Sequence, residues 1–267
     1  MFDDARFSQR KHCDVMNAIL AVEALIAFLI ALTIHEVAQA LVSSWLGDKS
    51  AARQGRLSLW PPRHMSAIGT LVAVVLVFSG FPNTLGWGKP IEPDTRNLRV
   101  NPDLGLVLVA VSGIVINTLV GVALALGLHF FPGYDKLDSF ANRCGGAGSI
   151  LQNCLSQAQP VYMLRIEQFL ITLAVTNILF AMLNIIPLYP LDGYHILFAW
   201  LPNRAAVRYR DFQPYMEFTL LIVFFLIPYL LRIIGLSQFE PTALLEVAAN
   251  TIGLSIAGGA YGFYLLI

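Results

Sequence analysis

Charge is what this chain has least of. Asp, Glu, Lys and Arg together make up 13% of its 267 residues, about half of the roughly 25% usual in soluble proteins. So few charged groups cannot clothe a soluble globule of this length when 57% of the residues are hydrophobic. Acidic and basic residues balance at 17 each, a formal net charge of zero, so no electrostatic footprint points to nucleic acid. Cysteine is equally scarce. Cys13, Cys144 and Cys154 match no C-x-x-C metal spacing; the last two either pair in a loop facing an oxidising compartment or stand as free thiols. Internal repeats and low-complexity tracts are absent. The N-terminal residues lack the basic, apolar, small-residue order of a cleavable signal, so the first apolar run is expected to remain as a helix.

What the chain has in abundance is apolar sequence, in runs at 17–46, 67–82, 104–131, 161–187, 212–236 and 242–267. Five are long enough to cross a hydrocarbon layer of roughly 30 Å at about 20 residues per helix. The run at 67–82 is short and closes on Gly80 and Pro82, which suits a re-entrant segment covered by protein. The expectation is an all-α polytopic membrane protein with about five transmembrane helices, one re-entrant segment and a short β element at Arg56–Leu59, where polar and apolar residues alternate. If 67–82 re-enters, Lys49, Arg53, Arg56, Arg63, Lys89, Arg96, Arg99, Arg204, Arg208 and Arg210 share one side of the bilayer. That basic side is expected to be cytoplasmic. A division follows into an N-terminal segment 1–16, a membrane core 17–211 and two additional helices in 212–267.

Ionisable groups inside such helices are costly and mark function. His35 and Glu36 stand in "LTIHEVAQA" and Asp192 in "NIIPLYPLDG". His35 and Gln39 lie one helical turn apart on one face, the spacing that presents two side chains to one metal. Asp192 follows the Pro190 break, where it is either a helix-start carboxylate or a third ligand.

Taken together, "HEVAQA", "LGDKSAARQGRLSL", "RHMSAIGT", "GWGKP", "SGIVIN" and "NIIPLYPLDG" resemble, in order, the site-2 proteases, intramembrane zinc metalloproteases. The likeness is to the compact bacterial branch without a PDZ domain and covers roughly residues 25–200. It implies zinc as cofactor, His35 and Asp192 as ligands, Glu36 as general base and Gly113 with Asn117 as the family's Gly-x-x-x-Asn pair. It also implies a transmembrane protein substrate, the lipid bilayer as surroundings, and residence in a bacterial cell membrane with the active site toward the cytoplasm. Asn117 or Asn184 would donate to the substrate backbone or oxyanion, or Asn117 tightens helix packing beside Gly113. Gln39 departs from the pattern, because it offers a neutral amide oxygen where the family has a second histidine. His64 and His195 either compensate or hold structural hydrogen bonds, His195 as an outer-layer partner of the site. Two functions remain open beside proteolysis: a catalytically impaired relative that binds membrane helices without cutting, and a transporter, which the absent repeat disfavours.

Overall fold

The computed structural model describes residues 2–78, 86–128 and 165–227, together with 230, 231 and 234. Eight helices follow in order: α1 (Phe2–Trp45), α2 (Ser50–Arg53), α3 (Ala67–Phe78), α4 (Pro102–Leu128), α5 (Arg165–Asn184), α6 (Asp192–Trp200), α7 (Asn203–Asp211) and α8 (Gln213–Leu221). A π turn at Ile222–Leu226 prolongs α8, and 3-10 turns lie at Pro61–Arg63 and Thr95–Asn97.

Local chemistry sets the helix ends that matter for the site. α1 stops at Gly47, whose φ of 117° is costly for any residue with a Cβ. Asn101 caps α4 by accepting the Asp103 N–H at 2.9 Å, and Pro102 suits the first helical position because it has no N–H to satisfy. Between α5 and α6, Pro187 and Pro190 remove donors and forbid a continuous helix. The chain turns there on short-range bonds such as Leu191 N–H to Leu188 O at 2.8 Å and restarts with Asp192 in the first turn of α6.

The helices α1, α4 and α5 pack against one another, and α4 also meets α6. Small residues permit that approach. A Cβ at Gly121 would lie 2.6 Å from Ile178 Cγ1 and 3.0 Å from Ala174 O, so α4 and α5 cross nearly backbone to backbone there. The apolar interior has two neighbouring parts: Phe28, Leu32, Ala73 and Phe180 join α1, α3 and α5, while Leu76, Trp87, Leu179, Leu183, Leu191 and Leu220 join α3, α5 and α8. Outward faces are apolar as well. Ile26, Leu41 and Trp45 on α1 and Leu104, Leu119 and Leu126 on α4 are exposed, as helices that meet lipid would be.

Among the described residues, two stretches are long and apolar enough to cross a membrane, Ala21–Trp45 and Pro102–Leu128. The apolar part of α5, Phe169–Asn184, is shorter. Helix α3, with 12 residues, spans about 18 Å and cannot cross alone. The run at 242–267, the loop 132–160 and the Cys144–Cys154 question lie outside the described residues. One expectation is corrected. Arg56–Leu59 forms turns, not a strand, and the described residues contain no sheet. Gly55 takes a φ of 72° and the Arg56 side chain is drawn inward to backbone carbonyls, so the backbone cannot run straight. Among the described residues β geometry is limited to one antiparallel bridge between Met65 and Gly88, with Lys89 N–H donating to His64 O at 2.8 Å.

A buried carboxylate ties the end of α1 to the segment carrying Gly88. Asp48 is fully buried and accepts the Ser50 N–H at 2.9 Å, the Ser50 hydroxyl at 2.5 Å, the Asp94 N–H at 3.0 Å and the Ser43 hydroxyl at 3.3 Å. Burial alone would raise its pKa, but these donors outweigh burial and hold the carboxyl below its ordinary value. A folded pKa below the unfolded one means that the stabilisation is present above about pH 4, the unfolded carboxyl's range, and is lost as pH falls through the folded value. Asp48→Ala should cost about 1–3 kcal/mol through the donors it leaves unpaired. Thermal unfolding in detergent should show a lower Tm at pH 7 and a gap from the natural protein that narrows in acid.

Candidate active site

His35, Glu36 and Gln39 lie on the inner face of α1, 2%, 4% and 2% exposed, and Asp192 at the start of α6 is 8% exposed. The proline break delivers Asp192 to α1: its Oδ2 lies 2.7 Å from His35 Nε2. Gln39 completes the group by donating from Nε2 to Asp192 Oδ1 at 2.6 Å, with the same nitrogen 3.1 Å from His35 Nε2. Two neighbours fix the imidazole. Phe180 of α5 meets it edge-on with centroids 5.2 Å apart. On the other side Gly113 of α4 gives it room, since a Cβ there would lie 2.5 Å from both His35 Cε1 and Nε2.

These residues fit a divalent metal on their own chemistry. His35 Nε2 and Asp192 Oδ2 form a buried ion-pair contact at 2.7 Å, and Asp192 Oδ2 accepts no hydrogen bond. An imidazole nitrogen and a carboxylate oxygen that face one another in a dry site are donors of the types that zinc takes. With bonds near 2 Å, tetrahedral zinc holds such atoms about 3.3 Å apart, so an expansion of roughly half an ångström would admit it. The third donor is the amide of Gln39, whose oxygen is a harder and weaker zinc ligand than imidazole. Groups of three His, Cys, Asp or Glu able to hold a metal are absent among the described residues, so the amide is needed to reach three protein ligands.

Beside the ligand group, Glu36 Oε2 faces Arg56 Nη2 at 3.4 Å, and Glu36 Oε1 lies against Gly88, where a Cβ would collide with it. The Arg56 guanidinium also donates to Arg63 O through Nη1 and to Lys89 O through Nη2. Sequence reasoning assigned Arg56 and Gly88 no role at the site. Arg56 entered as a loop charge and as the start of the expected strand, and Gly88 only within the GWGKP motif.

The other candidates separate. Asn117 is fully buried on α4, one turn beyond Gly113, and neither of its amide atoms has a hydrogen-bond partner. Asn184 donates to Phe180 O of its own helix at 2.9 Å. His64 is buried with Nε2 2.7 Å from Ser58 O, so that nitrogen is engaged away from His35 and Asp192. Burial pushes its imidazole below the ordinary value, with Arg56 and Arg63 adding to the shift against the bond to Ser58. His195 stands one turn beyond Asp192 with its ring edge-on to Tyr194, centroids 5.2 Å apart, and a buried Nε2 without a partner.

A helical bundle holding His-Glu on one helix and Leu-Asp-Gly at a helix start defines a metalloprotease of the membrane-associated class. Residues 23–227 match Peptidase family M50, and the chain belongs to that family, the site-2 proteases. It is 29% identical over 202 residues to the Bacillus subtilis (strain 168) protein named "Putative zinc metalloprotease YwhC", covering 74% of this chain and 78% of that one. No solved structure matches it significantly.

The contact between Gly113 and His35 can be tested directly. Gly113→Ala should displace the imidazole and weaken zinc binding at least tenfold by isothermal titration, with a stability loss of about 1–3 kcal/mol from overpacking.

Proposed function

We propose that this chain is an intramembrane zinc metalloendopeptidase that cleaves transmembrane segments of other membrane proteins, with its site toward the cytoplasmic side of a bacterial cell membrane. The observation that carries the reading is the buried pair His35 Nε2 and Asp192 Oδ2, 2.7 Å apart and drawn from opposite ends of the chain. His35, Asp192 and Gln39 would hold the ion. When bound, zinc supplies Lewis acidity and an acidified water as nucleophile near neutral pH. Glu36, one position along α1 from His35, would take the nucleophile's proton and pass it to the leaving amine. A helical substrate hides its carbonyls in its own hydrogen bonds, so it must open before attack. The unpartnered amide of Asn117 supports a role in holding the opened backbone or the oxyanion. The ten basic residues grouped by the loop pattern support the cytoplasmic orientation.

One observation favours a second reading, a relative that binds membrane helices without cutting them. The NH2 of Gln39 approaches both His35 Nε2 and Asp192 Oδ1, so it occupies the imidazole nitrogen that an ion would use and holds the carboxylate by its other oxygen. The test is cleavage of a transmembrane substrate reconstituted with the protein in zinc-containing liposomes. Under the peptidase reading the natural protein cuts, Glu36→Gln falls by at least 1000-fold, and Gln39→His raises both zinc affinity and rate. If the natural protein is inert with zinc supplied and Gln39→His creates proteolysis, the non-cutting reading holds.

A further inference from the structure

Arg56 is 4% exposed, a burial that arginine almost never undergoes without specific partners. Its partners come from three separate parts of the chain: Glu36 of α1, and the carbonyls of Arg63 and Lys89. Those carbonyls belong to the two segments joined by the Met65–Gly88 bridge, and the bridge also brings Gly88 against the other oxygen of Glu36. The carboxylate is thus boxed between a guanidinium and a residue without a side chain, one position along α1 from His35. We infer that Arg56 is a positioning residue: it holds Glu36 in the orientation that proton transfer needs and locks the bridged segments to α1 in the same act.

Arginine suits this task and lysine does so in part. A planar guanidinium can serve a carboxylate and two carbonyls from fixed directions, whereas an ammonium restores the charge but cannot keep all three geometries. A bulky apolar residue would fill the space without directing Glu36 at all. The inference rests on the peptidase reading for its kinetic part, so its test carries a measurement that does not need cleavage.

The full chain in proteoliposomes with excess zinc is compared as natural protein, Arg56→Lys and Arg56→Met. Arg56→Met should lose about 100-fold in kcat, the scale of an ångström's misplacement of a reacting group. KM should stay within about threefold and zinc stoichiometry should not change. Arg56→Lys should recover about a tenth to a third of the natural kcat, and if Arg56→Met does not fold, Arg56→Lys alone should show that three- to tenfold loss. Independently of activity, Glu36→Gln, Arg56→Met and their combination are melted in detergent. The combined variant should lose several degrees less in Tm than the sum of the single losses, because each partner's charge is then not left buried alone. An unchanged kcat in Arg56→Met, no recovery in Arg56→Lys, or additive Tm losses would each overturn the inference. A natural protein that cuts nothing, or a Glu36→Gln variant as active as the natural one, overturns the peptidase reading instead, and the melting comparison still decides the role of Arg56.

Discussion

The structure depends on one constraint: polar groups from opposite halves of the chain must meet inside a bundle with almost nothing polar to offer them. Asp192, leaving α6, would be a carboxylate stranded among hydrocarbon without Gln39 and His35 of α1. Stranding such a charge costs several kcal/mol, so the fold is driven to bring α1 and α6 into register. Helix α4 sets how close that register can be. Its Gly113 admits the imidazole and its Gly121 admits α5, and Phe180 of α5 closes on His35 from the other side. The arrangement of helices is therefore inseparable from the site: the helices that bury the apolar surface also remove water from the ligand atoms.

Charge balance explains why this centre suits a cation. Two carboxylates, Glu36 and Asp192, are buried within reach of one guanidinium, Arg56. Arg56 pairs with Glu36, while Asp192 faces the neutral amide of Gln39 and the imidazole of His35. A cation held between His35 and Asp192 would bring positive charge to the acid that Arg56 does not pair with.

How far the sequence revealed this differs by residue, for physical reasons. His35, Glu36 and Asp192 were legible because an ionisable group in an apolar helix has few explanations, and the break at Pro187 and Pro190 marked where α5 must end. Membrane class followed from composition, and α4 from the apolar run at 104–131. The turn at Arg56–Leu59 was not legible. Its alternating residues imitate a strand, whereas the positive φ of Gly55 and the long-range contacts of the Arg56 side chain turn the backbone. Arg56 and Gly88 were missed together for that reason, since a buried arginine is recognised by partners distant in sequence. The packing role of Gly113 was also out of reach of spacing rules, because a glycine that makes room for a ring on another helix leaves no local mark.

Gln39 is the residue at which architecture and chemistry part. Exchanging imidazole for an amide leaves the charge of the cluster unchanged when both are neutral, so the helices have no electrostatic reason to rearrange. What changes is the choice open to the side chain. Its NH2 faces Asp192 Oδ1 because a carboxylate can only accept, and in that orientation it satisfies one oxygen of the acid without an ion. Its oxygen, turned inward, is a donor to a cation but repels the carboxylate if no cation is there. An amide therefore couples its own orientation to occupancy of the centre, and zinc must compete with hydrogen bonds that the protein makes to itself. A cation at His35 Nε2 would displace the Gln39 contact there, while the bond to Asp192 Oδ1 could remain, so this one side chain ties the packing of α1 against α6 to occupancy of the centre.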